Sequence, residues 1–168
     1  MKFVEEKKGV KYWLGEPSDL QELFPFFLQI PRENELLGLL KTDISKTLEV
    51  LRDTLNSPEA ACLIATVPHE EKENGIIVGA ILLRKSTVWW SSTPFFTNVA
   101  FFTLPAFRHG HGIQEELVYA AKGFSESLKI PLFIDIFDNT ENNNKKTRWF
   151  QWKKFKNIGF KVAYLPEG

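Results

Sequence analysis

Residues 108–117 read "RHGHGIQEEL": two glycines one residue apart, a basic residue in front and an amphipathic run behind. Glycine lacks a Cβ, so such a loop can turn steeply and let another group approach its backbone. From Ile113 onward apolar residues recur at helical spacing, and a helix start offers unpaired N–H groups and a partial positive charge. A glycine loop entering a helix N-terminus suits a phosphate. It equally suits a tight strand-to-helix turn. The segments on either side bear on the choice.

Behind the loop, Ile113, Leu117, Ala120, Ala121, Phe124 and Leu128 form one stripe roughly 100° wide, predicting a helix laid across a sheet. In front of it, "FFTNVAFFTL" (95–104) reads as a long strand, preceded by strands "AACLIATV" (60–67) and "IIVGAILLR" (76–84) with a polar loop between them. "VKYWL" (10–14) is a short strand, with a weaker one in "MKFVE" before it. "PSDLQELFPFFLQI" starts a helix with Ser18 as N-cap, which Pro25 bends or ends. "DISKTLEVLRDTLNS" (43–57) is a second helix, its Ile44, Leu48, Leu51 and Leu55 at three- and four-residue steps. After the loop helix come a strand "PLFIDIF" (131–137), a helix over "RWFQWKKFKNIGF" ended by Gly159, and a last strand "FKVAYL". This order predicts a mixed α/β domain with one crossover at the glycine loop.

The whole-chain numbers are ordinary. The 168 residues suit a single domain (1–168), with 43% hydrophobic and 25% charged residues. Lys+Arg and Asp+Glu both total 21, so no global field points to nucleic acid or an anionic membrane. The start, "MKFVEEKKG", has acidic residues where a signal peptide would need an apolar stretch, and no apolar run reaches the ~18 residues of a membrane span. The single cysteine, Cys62, lies in an apolar run and reads as a buried structural thiol. The expectation is a cytoplasmic protein.

Two familiar phosphate loops do not fit. A P-loop requires Gly-Lys-Ser/Thr, whereas Gly112 is followed by Ile-Gln. A dinucleotide fingerprint needs a glycine where Glu115 stands. The stretch "AFFTLPAFRHGHGI" resembles instead the strand, proline, aromatic, basic residue, Gly-x-Gly-Ile progression of the GNAT-type N-acetyltransferases. "FKNIGF" (155–160) is similar to the segment that closes that family's last helix. The element order from Val10 to Leu165 also resembles the family's. The resemblance implies a mixed, mostly antiparallel central sheet flanked by helices, with a glycine pyrophosphate loop between central strand and main helix. It implies acetyl-CoA as co-substrate and an unidentified primary amine, small molecule or protein terminus, as acceptor. The acyl donor would lie between strands 95–104 and 131–137. Its pantetheine would pair with backbone of Phe101, Phe102 and Thr103. Its pyrophosphate would meet Arg108, His109, Gly110, His111, Gly112, Ile113 and Gln114. The rival reading is an acyl-CoA-binding module of the same fold with weak or no turnover.

The sequence departs from the family pattern at three places. Gln114 replaces a small residue, and His109 takes the leading basic position with Arg108 before it. The family's tyrosine, the usual proton donor, corresponds to Phe155, which has no proton to give. Only eight residues follow Phe160, so a final strand is expected to be missing, and an exposed sheet edge to be covered in a homodimer. The general base would be Asp135, the one carboxylate inside the apolar strand facing the cleft, with Asp138 at that strand's end or a water relay as alternatives.

Other clusters read more plainly. His109 and His111 lack further ligands for a metal site. The run 145–161 holds seven Lys/Arg interleaved with aromatics, which reads as a solvated helix face, a phosphate contact or, less readily, a nucleic-acid surface. "TVWWSSTPFF" (87–96) crowds aromatics at a turn, as core, hairpin tip, or a surface meeting substrate or a partner subunit.

Overall fold

The computed structural model describes residues 1–33, 42–108, 110–135, 148, 150–152, 154 and 155. Chain contacts divide into two compact units, Met1–Ile136 and Phe137–Gly168. The first holds a sheet of six strands in the order β1 (Lys2–Lys7), β2 (Val10–Leu14), β3 (Ala60–His69), β4 (Lys72–Val88), β5 (Ser91–Thr103), β6 (Leu132–Phe133). Neighbours pair antiparallel as far as β5, and β6 joins β5 in parallel. The helices described are α1 (Leu20–Phe27), α2 (Ile30–Glu33), α3 (Ile44–Asn56) and α4 (Ile113–Leu128). The sheet is mixed and mostly antiparallel, as expected from the short links between consecutive strands.

The sheet is covered on both faces, which is why its strands read as continuous apolar runs. Ala61, Leu63 and Ala65 of β3, with Val78, Ile81 and Leu83 of β4, pack against Ile113, Leu117 and Ala121 of α4. The alternate residues Cys62, Ile64, Ala80 and Leu82 pack with Leu23, Phe26 and Phe27 of α1 and Leu51 of α3. The period-two alternation of a strand divides the two cores, and it changes phase at Val78, the extra residue of β4 between the Ala65–Gly79 and Thr66–Ile77 pairs.

Several local expectations need correction. β3 and β4 extend through the polar segment 68–75, with His69 opposite Lys72, because cross-strand pairing supplies what composition does not. Asp19, not Ser18, stands at the N-cap of α1, and Glu16 caps the short 3-10 turn Pro17–Asp19 before it, exchanging hydrogen bonds with Asp19. Pro25 does not end α1, since burial of Leu23, Phe26 and Phe27 carries the helix through it. On α3 the Asp43 cap accepts from the Lys46 N–H at 2.9 Å, but Ile44 is exposed. Leu128 likewise falls off the apolar stripe of α4 at its exposed end.

Candidate functional site

β5 and β6 touch and then part. The Phe96 N–H donates to the Pro131 carbonyl at 2.7 Å, and the ladder consists of Phe96 opposite Leu132 and Thr97 opposite Phe133. Of the strand expected over 131–137, Leu132 and Phe133 pair with β5 among the described residues, and 136 and 137 lie outside them. Beyond it Asp135 meets β5 through a side chain: its N–H donates to Asn98 Oδ1 at 2.7 Å and its carbonyl accepts from Asn98 Nδ2 at 3.1 Å. Past this point the outer edge of β5 has no strand partner among the described residues.

A bulge decides what that edge presents. Asn98 lies opposite Leu83 and Ala100 opposite Leu82, so Val99 is an extra residue in β5. The bulge inverts the strand's phase. Phe96 packs on Phe124 of α4, with ring centroids 5.2 Å apart. Past the bulge it is odd-numbered Phe101 that joins the α4-side core, while Ala100 and Phe102 face the α1 side. The peptide groups follow the same switch. Leu104 N–H donates to the Val78 carbonyl at 2.9 Å, so two-residue alternation turns Phe102 toward β4 and aims Phe101 and Thr103 at the open edge.

The edge leads into the glycine loop. After a 3-10 turn at Pro105–Phe107, Arg108 folds back. Its Nε donates to the Thr103 carbonyl at 2.9 Å, and its guanidinium carbon stands 5.4 Å from the centre of the Phe102 ring. Gly110 has φ +86° and open space where a Cβ would sit. Gly112, at φ +65°, caps α4, and no side chain takes that role. The first-turn N–H groups of Ile113, Gln114 and Glu115 thus have no partner inside the helix. Two carboxylates share that turn: Glu116 accepts from Lys7 Nζ at 2.8 Å, and Glu115 Oε2 comes 3.9 Å from the Cβ position of Gly112. Phe107 and His111 make a ring contact at 5.5 Å.

No family profile and no curated protein matches the chain by sequence. Solved structures do match its shape. An aminoglycoside N-acetyltransferase AAC(6')-Iy in complex with CoA superposes with a TM-score of 0.67 at 15% identity, over 98% of this chain and 99% of that one. The aminoglycoside acetyltransferase meta-AAC0020, from an uncultured soil metagenomic sample and in complex with trehalose, gives 0.62 at 18% identity over 97% and 100%. A ribosomal-protein-alanine N-acetyltransferase from Brucella melitensis biovar Abortus 2308 gives 0.58 at 13% over 95% and 99%. This is the GNAT acetyltransferase fold.

Within the GNAT fold of this chain, the sequence-predicted residues Phe101, Phe102, Thr103, Arg108, Gly110, His111, Gly112, Ile113 and Gln114 form one continuous stretch along β5, the loop and the start of α4. Phe102 differs from its neighbours, since its ring is buried against Phe26 and its peptide faces β4. Asp135 is half-buried beside the parting strands. His109, Asp138, "FKNIGF" apart from Phe155, and the residues 160–165 expected as a last strand lie outside the described residues. In the second unit, Phe155 packs edge-on against Phe150 at 5.3 Å. The Cys62 thiol is buried, and loss of solvent pushes its pKa up, so it is a core group. Trp89 and Trp90 form a hairpin tip, 93% and 68% exposed, in contact with each other at 5.3 Å. Among the described residues no three His, Cys, Asp or Glu side chains converge, and no helix is long and apolar enough to cross a membrane.

Sequence reasoning missed three positions. Asn98 carried no motif. Val99 looked like any strand valine. Gly79 was an unremarked glycine in an apolar run, yet a Cβ there would come 2.9 Å from Ile113 Cγ2, so its absence lets α4 settle onto β4.

Proposed function

We propose that this chain is an acetyl-CoA-dependent N-acetyltransferase acting on a primary amine. The observation that carries this reading is the edge of β5 that has no strand partner among the described residues, with Phe101 and Thr103 peptides directed outward and leading to the N-terminus of α4, where no side chain caps the helix. An extended amide-bearing chain can add to such an edge as a strand would, and a pyrophosphate suits the N–H groups at Gly112–Gln114. The described residues therefore fit CoA: Phe101 and Thr103 for pantetheine, and Gly110, His111, Gly112, Ile113 and Gln114, with Arg108 before them, for pyrophosphate. The structural neighbours, including the one in complex with CoA, support the same reading.

Acetyl-CoA, when bound, supplies an acetyl group activated as a thioester. The chain's own contribution is placement: two substrates held together recover much of the rate of a bimolecular step. A protonated amine must lose a proton before it can attack, and Asp135, whose backbone meets Asn98 where the strands part, is the carboxylate proposed to take it. The acceptor would be a small amine or a protein terminus, the classes represented by the aminoglycoside and ribosomal-protein enzymes of the same fold. The reading includes a homodimer in which the Trp89–Trp90 tip meets a second chain, supported by the exposure of both rings.

Phe155 favours a second reading, a CoA-binding module with little turnover, because no hydroxyl stands where the GNAT family places its tyrosine. Calorimetric titration with acetyl-CoA, followed by thiol release over a panel of small amines, peptides and polyamines, tests both. Binding with amine-dependent release establishes the transferase. Binding without release on any amine favours the module, and absence of binding overturns both.

A further inference from the structure

We infer that Asn98 is a positioning residue whose carboxamide sets where and how widely the β5–β6 cleft opens. The inference rests on the CoA-binding reading above and adds to it the device that holds the site open. In a parallel ladder the strands stay about 4.8 Å apart, joined directly by peptide groups. Here the ladder stops after Thr97 and Phe133, and the next rung is the Asn98 side chain, inserted between β5 and the backbone of Asp135. The carboxamide is a peptide group on a short stem. It offers one acceptor and one donor, which satisfy the Asp135 N–H and carbonyl together, and only one orientation of the amide does both. The spacing at Asp135 is therefore that of a side chain and not of a ladder bond.

The position of Asn98 sharpens this. Its residue is 8% exposed, so its polar atoms would be costly without partners, and the two bonds to Asp135 meet that need. It immediately precedes the Val99 bulge, after which the peptides of Phe101 and Thr103 turn to the open edge. One residue thus ends the ladder, and the next redirects the strand. Asn98 also fixes the backbone of Asp135 and hence the base of the cleft's far wall.

The test uses the full chain and CoA itself. Asn98→Ala removes the rung, and Asn98→Gln keeps its chemistry on a stem one methylene longer, so Gln remains informative where Ala fails to fold. In wild-type protein the Asp135 amide should resist hydrogen exchange as well as the Phe102 amide, which faces β4. In folded Asn98→Ala, protection should vanish at Asp135 and persist at Phe102, and CoA should bind at least tenfold more weakly. Asn98→Gln should hold melting temperature near wild type while weakening CoA several-fold. Wild-type CoA affinity in either folded variant overturns the inference alone. Failure of the wild-type protein to bind CoA overturns the reading on which it rests.

Discussion

Gly79 of β4 lies so close beneath the first turn of α4 that a Cβ on it would stand 2.9 Å from Ile113 Cγ2 and 3.1 Å from Leu117 Cδ1. Ile113 is fully buried and β-branched, so it cannot swing aside. Gly79→Ala should cost about 1–3 kcal/mol through overpacking, read by chemical denaturation. It should also weaken CoA, because the displaced helix start carries the N–H groups proposed to hold the pyrophosphate. A variant as stable as wild type would show that α4 is not seated on Gly79.

Gly110 allows charge to be separated from backbone strain. Its φ of +86° disfavours most side chains, but open space surrounds the Cβ position. Asn tolerates positive φ better than other residues. Gly110→Asn should therefore fold with little loss and retain most of the acetyl-CoA-induced rise in melting temperature. Gly110→Asp, of nearly the same shape, should abolish that rise by placing a negative charge at the proposed phosphate position. Equal shifts in the two variants would remove the loop from the phosphate site.

Phe155→Tyr tests the correspondence with the family's tyrosine. If this position faces the leaving thiolate, the hydroxyl should raise turnover on any accepted amine, with melting temperature nearly unchanged. A hydroxyl buried elsewhere would lack a partner and lower stability by about 1–3 kcal/mol with no gain in rate.

Cys62 should be inert while the chain is folded. Burial raises the thiol pKa above the ~8.5 of an unfolded chain. Between those two values the native state holds a proton that the unfolded state has released, so stability falls as pH rises above about 8.5. Below that pH the thiol is protonated in both states and adds no slope. Ellman's reagent at pH 8 should label the thiol only after guanidinium denaturation. Cys62→Ala should flatten the fall in stability between pH 8.5 and 10, and rapid labelling of native protein would contradict the burial.

The Trp89–Trp90 tip is exposed and belongs to neither core cluster among the described residues. Trp89→Ser with Trp90→Ser should leave the monomer's unfolding midpoint nearly unchanged. Sedimentation velocity at micromolar concentration should show a wild-type dimer and a monomeric variant. A wild-type monomer that acetylates small amines would sink the dimer proposal.

The sequence by itself determined whatever depends on near neighbours. The stripe Ile113, Leu117, Ala121 is a helix face because three- and four-residue spacing makes it one. The glycines at 110 and 112 announce positive φ, and both have it. Cys62 lies in a run that no surface strand would carry, and it is buried. Only the tertiary structure decided the cleft. The Val99 bulge exists because β5 has one more residue than β4 between two fixed pairs, and register is a property of two strands, not one. β6 ends after Phe133 because Asn98, 37 residues before Asp135, takes its backbone. Gly79 matters because Ile113 arrives above it from across the crossover. Each depends on partners far apart in the chain, and local spacing carries no trace of them.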